Sequence, residues 1–267
     1  MRLGLSSCSK PFGEELFKAY AAAGIDAMEI SYGKEATEAL DFAQAKRWAE
    51  STGVALWSLH LPFMPFNIID ISYPTIADRT VDYFLDLMRR ANGQAGVTRF
   101  IVHPSGEPIM DSRRALRMET AQRSLARMAA AADELGAIVC VENLPRTCLG
   151  KNSDEMLELL KAHESLRVCF DTNHLLGEDF APFIKKLGDK IVTTHVSDYD
   201  FVDEKHWLPG EGKLDWPRLV KCLKAVGYDG AWLYEVGFAP PESAPWRTRD
   251  LTCEDFAANY RSMMQKL

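Results

Sequence analysis

Several features that would each define a protein class are scarce in this chain. Its longest apolar runs are about five to eight residues, far short of the roughly 18 needed to cross a bilayer. The N-terminus, MRLGLSSCSKPF, has no long apolar stretch behind its basic residue, so it reads as a strand and not as a signal peptide. Glycine (17) and proline (13) are at ordinary levels, which excludes collagen and low-complexity disorder. The six cysteines contain no C-x-x-C pair, and two lie inside apolar runs. They read as reduced, mostly buried thiols of a cytoplasmic protein. Positive charge is not in excess: 31 basic against 38 acidic residues leave a net charge of −7, which argues against a general nucleic-acid binder. Nor does SSCSKPFG, after the first apolar run, form the G-x-G-x-x-G loop of a dinucleotide-binding sheet.

What is present is an alternation. The chain of 267 residues is 47% hydrophobic, enough for a large core, and strand-length apolar runs recur along it. The runs are 2–7, 27–31, 55–61, 99–104, 137–143, 167–173, 191–198 and 230–237. Several are nearly continuous in apolar residues, as strands of a parallel sheet covered on both faces must be. Helical patterns lie between them. Over 113–135, Met118, Ala121, Leu125, Met128, Ala132 and Leu135 recur at steps of three and four, which puts one stripe on one face. Residues 76–91 repeat this with Val81, Phe84, Met88 and Ala91, and Thr252 with Asp255 has capping-box spacing at the start of the last helix. Gly24, Gly53, Gly96, Gly136, Gly188 and Gly227 each close a helical pattern. Eight strands each followed by a helix predict a (β/α)8 TIM barrel occupying residues 1–267 as one domain. No span is apolar enough to predict a membrane partner.

In such a barrel the side chains at the C-terminal ends of the strands emerge into the catalytic mouth. Those ends carry Glu29, His60, His103, Glu142, Asp171 with His174, His195 with Asp198, and Glu235; His206 follows strand seven, and of the histidines only His163 lies elsewhere. One such residue alone is an ordinary hydrogen-bonding group. Strands five to eight, however, supply Glu142, Asp171, His195 and Glu235 in succession. Adjacent strands bring these within a few ångströms, and three uncompensated carboxylates would repel one another strongly. One divalent cation resolves that repulsion. Three oxygen ligands and one imidazole suit Mn²⁺ first, with Mg²⁺, Co²⁺ or Zn²⁺ as alternatives. A six-coordinate ion would keep two positions for adjacent substrate oxygens, polarising a carbonyl and stabilising an enediolate.

The stretches SLHLPF, IVHPSGE, CVENLPR, CFDTNHLLG, THVSDYD, HWLPGEGKLDW and YEVG, in register on successive strands, resemble the xylose-isomerase-like TIM-barrel superfamily of sugar phosphate isomerases and epimerases, which also contains apurinic endonucleases. The resemblance covers nearly the whole chain. It implies an isomerase or epimerase of a keto sugar, sugar phosphate or inositol derivative, with a metal held by Glu142, Asp171, His195 and Glu235. It further implies that Glu142 and Glu235 exchange protons from opposite faces of the substrate, and that His174 contacts substrate or a further metal. His60, His103 and His206 are further candidates for substrate contact. So are Arg146, for a phosphate or carboxylate, and Glu211 or Lys213 in the glycine-rich loop.

Three alternatives stay open on the sequence. The same site could expel a leaving group, as a dehydratase or a 3-keto-glycoside lyase. The endonuclease branch binds three zinc ions, and His60, His103, His174, Glu204 and His206 supply the extra ligands for a phosphodiesterase acting on abasic DNA. Against this, Glu204 replaces an Asp of that pattern, and LPFMPFNIIDI after His60 has no basic residue to follow a phosphate backbone. A sugar-binding protein on a decayed barrel is the non-enzymatic alternative. The expected partner is a small sugar or polyol and not nucleic acid, set against an aromatic wall of Trp57, Phe63, Phe66, Phe201, Trp207 and Phe238. The segment APPESAPWRTRD offers a surface for a second subunit in a homo-oligomer.

Overall fold

In the computed structural model, which describes residues 1–8 and 10–265, every one of the eight apolar runs forms a parallel strand. They are β1 (Arg2–Ser6), β2 (Ala27–Ser31), β3 (Ala55–His60), β4 (Arg99–Val102), β5 (Ile138–Glu142), β6 (Arg167–Asp171), β7 (Ile191–His195) and β8 (Ala231–Tyr234). Each pairs with its neighbour in chain order, and β1 also pairs with β8. Between β7 and β8 the ladder shrinks to a single parallel bridge, Val196 to Tyr234, so the barrel is nearly closed. Several strands end short of the apolar run that predicted them. Their last residues leave the ladder, as Val196 and Asp198 do after β7, where only isolated bridges remain and both stay buried.

The helices are α1 (Glu14–Ala23), α2 (Lys34–Glu38), α3 (Phe42–Thr52), α4 (Ala77–Ala95), α5 (Asp111–Glu134), α6 (Ser153–Leu160), α7 (Phe180–Leu187), α8 (Trp216–Ala225) and α9 (Cys253–Gln265). The stripes read in the sequence are the faces laid on the barrel: Val81, Phe84, Met88 and Ala91 of α4, and Ala121, Leu125, Met128 and Ala132 of α5, are buried. Thr252 and Asp255 form a reciprocal capping box, with Thr252 N donating to Asp255 Oδ2 at 2.8 Å and Asp255 N to Thr252 Oγ1 at 3.4 Å. No helix of the described residues is long and apolar enough to cross a membrane.

The barrel interior is layered by chemistry. At its N-terminal end Trp57 packs with Ala27, Ala231 and Leu233, with the guanidinium of Arg99 3.8 Å from the indole centroid. Trp57 therefore belongs to the floor and not to the mouth where the sequence placed it. Above it lie Ile101, Cys140 and Cys169. The next layer is polar and fully buried, and it contains Glu29, Ser58, Asp171 and His195. Two register shifts, one between β2 and β3 and one between β6 and β7, lie in the pairings that involve the strands carrying His60 and His195. Bulges of this kind re-aim side chains beside functional sites.

Two buried hubs hold the mouth loops. After β7 the chain wraps around Asp198, whose carboxylate accepts from Tyr199 N (2.9 Å), Gly210 N (2.8 Å), Leu214 N (3.1 Å) and Trp216 Nε1 (2.9 Å). Gly212 must lack a side chain there, since a Cβ would overlap that carboxylate. In the second hub Asp70 accepts from Ser72 N at 2.8 Å, from Gly106 N at 3.0 Å and from Arg117 Nη2, joining the loops after β3 and β4 to α5. Arg117 and Asp70 are both buried, so removing one leaves the other charge stranded. Arg117→Ala is expected to lower stability by about 3–5 kcal/mol, seen as a fall in the urea midpoint at unchanged slope; a change below about 1 kcal/mol would show that the pair does not hold the loops.

Candidate active site

The ends of β5, β6 and β7 and the residue after β8 bring Glu142, Asp171, His195 and Glu235 to one point. One ligand atom from each lies within 4.8 Å of all the others. Their backbones are clamped there. Asn143 donates Nδ2–H to Asp171 O at 2.9 Å and accepts Asp171 N–H at 2.8 Å, locking the end of β5 to β6. Thr172 Oγ1 donates to Ser197 O at 2.7 Å and accepts Ser197 N–H at 3.0 Å, locking β6 to β7. Glu142 is the centre of the group. Its Oε1 is 3.1 Å from His195 Nδ1, and its Oε2 is 3.2 Å from both His60 Nε2 and His103 Nε2. Glu235 Oε2 is 3.3 Å from His195 Nδ1.

The direction of the imidazoles decides what this group can hold. A backbone carbonyl only accepts, so a ring nitrogen bonded to one must carry the proton. His60 Nδ1 lies 2.9 Å from Leu61 O, His174 Nδ1 3.0 Å from Asn143 O, and His206 Nδ1 3.1 Å from Glu235 O. Neutral rings thus turn Nε2 lone pairs towards acceptors: His60 towards Glu142, and His174 towards Glu204 Oε2 at 3.0 Å. Lone pair against lone pair is repulsive unless a proton or a cation lies between them. Asp171 adds a second indication. Its Oδ1 accepts from Asn173 N at 2.6 Å, while its buried Oδ2 has no hydrogen-bond partner.

Charge balance points the same way. Burial, with Glu142 and Glu235 nearby, pushes the Asp171 carboxyl up to about 7 against the pull of His174. Burial also opposes charge on Glu142, but the imidazoles of His195 and His103 outweigh it and hold that carboxyl well below the usual range. Burial disfavours charge on His195 too, yet the Cys169 thiol and the acids Glu235, Glu29 and Glu142 drive its pKa well above that of an ordinary imidazole. A set of three carboxylates and one imidazole, with an unpartnered oxygen, fits a divalent cation of the Mn²⁺, Mg²⁺, Co²⁺ or Zn²⁺ kind.

Beside this cluster is a cavity of about 220 Å³, just below the ~300–1,000 Å³ of drug-sized ligand pockets. Glu142 and Glu235 reach its wall together with His103, His174, His206 and Arg146. His60 lies a layer deeper and is buried, stacked on His195 at 5.6 Å between centroids. Glu211 is elsewhere: it pairs with Arg247 and accepts from Leu208 N at 2.9 Å, tying the loop after β7 to the C-terminal segment. Lys213 borders a separate hollow with Phe201. The aromatic wall reduces to Phe63, stacked on His103 at 4.3 Å, and Phe66. Trp207 packs on Trp246, and Phe238 on Phe256.

Arg146 is not a free cation. It pairs with Glu107, with Asp203 at 2.7 Å and with Glu204 at 2.8 Å, so it clips together the loops after β4, β5 and β7. Arg146 (φ 52°), Phe201 (φ 66°) and His206 (φ 50°) are the non-glycine residues with left-handed backbone among those described, and all three are in mouth loops. Such strain costs about 1–3 kcal/mol per residue and persists where surrounding structure enforces it. Sequence reasoning overlooked Glu107 and the clamping role of Asn143; the EN pair at the end of β5 was a signal for the latter. If acid crowding is the dominant strain in the cluster, Asp171→Asn should raise stability in the presence of EDTA by about 1–2 kcal/mol, read from the urea midpoint; a lower midpoint would mean that Asp171 supports the metal-free fold.

The fold has counterparts. The family model described as xylose isomerase-like TIM barrel matches residues 17–249. An uncharacterised protein of Methanocaldococcus jannaschii is 27% identical over 181 residues, 64% of this chain and 61% of that protein, so the match spans less than two thirds of that relative's length. D-psicose 3-epimerase of Enterocloster bolteae is 23% identical over 231 residues, 80% of this chain and 73% of the epimerase. Among solved structures, a D-tagatose 3-epimerase-like protein superposes with a TM-score of 0.81 at 21% identity, covering 99% of this chain and 96% of the other. The chain belongs to the xylose isomerase-like TIM barrel family.

Proposed function

We propose that this barrel is a divalent-metal-dependent isomerase or epimerase that moves a proton at the carbon beside the carbonyl of a keto sugar. The observation that carries the reading is the Asp171 Oδ2 atom, buried without a partner in a group where Glu142, His195 and Glu235 converge. Those four residues would hold the cation, with Mn²⁺ first in expectation from the oxygen-rich set. When bound, the cation supplies a Lewis-acid charge that polarises the substrate carbonyl and acidifies the neighbouring C–H.

The chain's own groups do the rest. Glu142 and Glu235 approach the cavity from different strands, so one carboxylate removes the carbon-bound proton and the other returns one to the opposite face. His206 presents an Nε2 edge suited to a substrate hydroxyl, its Nδ1 proton being committed to a carbonyl, while His174 reaches the cavity wall with its Nε2 on Glu204. Phe63 and Phe66 keep water from the deprotonated carbon. The single arginine of the wall is saturated by Glu107, Asp203 and Glu204, which favours an uncharged keto sugar over a sugar phosphate. The sugar epimerases among the relatives support the same reaction class.

A second reading is favoured by one observation. His60, His103 and Glu142 form another group with ligand atoms within 4.8 Å of each other, and so do His174, Glu204 and His206. Three such groups suit a trinuclear zinc phosphodiesterase acting on abasic DNA. Among the described residues the cavity wall carries no unpaired cation, which argues against a phosphate backbone there.

Glu142→Gln and Glu235→Gln should each reduce solvent-deuterium incorporation into free ketohexoses (D-psicose, D-tagatose, D-fructose) by about 10²–10⁴-fold without lowering the thermal midpoint; wild-type incorporation in both variants would refute the assignment. Elemental analysis should find one tightly held metal per chain, and an abasic duplex should stay intact. Three metals together with strand nicking would favour the second reading.

A further inference from the structure

Glu29, in β2, has no part in the chemistry above, yet it sits directly under the cluster. It is fully buried. Its Oε2 accepts from Ser58 Oγ at 2.7 Å, and both of its oxygens are 3.1 Å from His195 Nε2. A carboxylate so enclosed, with one hydroxyl and one imidazole for company, costs several kcal/mol unless its charge is used. The shift in register between β2 and β3 sets Glu29 opposite Ser58, while Met28 stays opposite Leu56. The bulge thus brings carboxylate and hydroxyl together.

The other imidazoles explain the need. His60, His174 and His206 each direct Nδ1 at a backbone carbonyl, which leaves Nε2 for the site. His195 is turned the other way: its Nδ1 faces Glu142 and Glu235, and its Nε2 points down into the barrel. There a side chain must replace the missing carbonyl.

We propose that Glu29 is a positioning residue: it takes the Nε2–H of His195, holds the ring in plane and leaves the Nδ1 lone pair aimed at the point where Glu142, Asp171 and Glu235 meet. The inference rests on the reading that those four residues hold a divalent cation. Ser58 in turn orients Glu29, so the chain of contacts runs Ser58, Glu29, His195, cation. A carboxylate behind an imidazole ligand fixes its tautomer and raises its basicity, and loss of such a partner lowers metal affinity by about 10–100-fold.

The test is calorimetric titration of the metal-free protein with MnCl₂. Glu29→Gln keeps the shape and removes the charge. It should weaken Mn²⁺ binding by about 10–100-fold while the urea midpoint in EDTA does not fall. Ser58→Ala should weaken binding less, in the same direction. Asp171→Asn is the control for the underlying reading. If Asp171→Asn abolishes binding and Glu29→Gln binds as the wild type does, the positioning role is wrong and the metal site stands. If Asp171→Asn also binds as the wild type does, the metal site itself is wrong. Should Glu29→Gln fail to fold, wild-type affinity in Ser58→Ala would overturn the proposal and weakened affinity would support it.

Discussion

The constraint that organises the upper half of this barrel is the repulsion among buried acids. Glu29, Glu142 and Asp171 are buried, with Glu235 close above them. Water is largely excluded, so the charge must be balanced from within. The imidazoles of His60, His174 and His206 do not balance it while neutral, because carbonyls hold their Nδ1–H groups away from the centre. The group is arranged to surround positive charge. Side-chain clamps between β5, β6 and β7 keep the acids from relaxing apart.

Stability and function are separated along the barrel axis. The floor, built on Trp57 and aliphatic side chains, and the helix stripes of α4 and α5 supply apolar burial. That surplus offsets the crowded acids and the left-handed residues of the mouth loops. The loops are themselves held by charge: Asp198 gathers the segment after β7, Asp70 with Arg117 secures those after β3 and β4, and Arg146 bridges three loops. The small cavity beside that arginine is walled mainly by acids, imidazoles and two phenyl rings.

Much of this was legible in the sequence because buried parallel strands are written as apolar runs, and polar residues at their ends have few reasons to be there. Glu142, Asp171, His195 and Glu235 stood out on that ground, and the structure brings them together. Depth along a strand was not legible. Trp57 and His60 are in the same strand, yet one is floor and the other lies beneath Glu142. Partners distant in sequence were also hidden: Arg146 looked available because Glu107 and Glu204 lie 39 and 58 positions away. Glu211 is diverted by Arg247, 36 positions on, in a segment with no periodic pattern. Glu29 read as one more acid of the mouth, since nothing in AMEIS tells that it faces His195 from below.

The account is tested most directly by anomalous diffraction from crystals grown with MnCl₂. It predicts a manganese peak about 2.0–2.2 Å from Asp171 Oδ2, His195 Nδ1 and one oxygen each of Glu142 and Glu235, with the Nε2 edge of His195 still on Glu29. A manganese-free cluster in such crystals, or an ion bound elsewhere while Asp171 Oδ2 stays unpartnered, would contradict it.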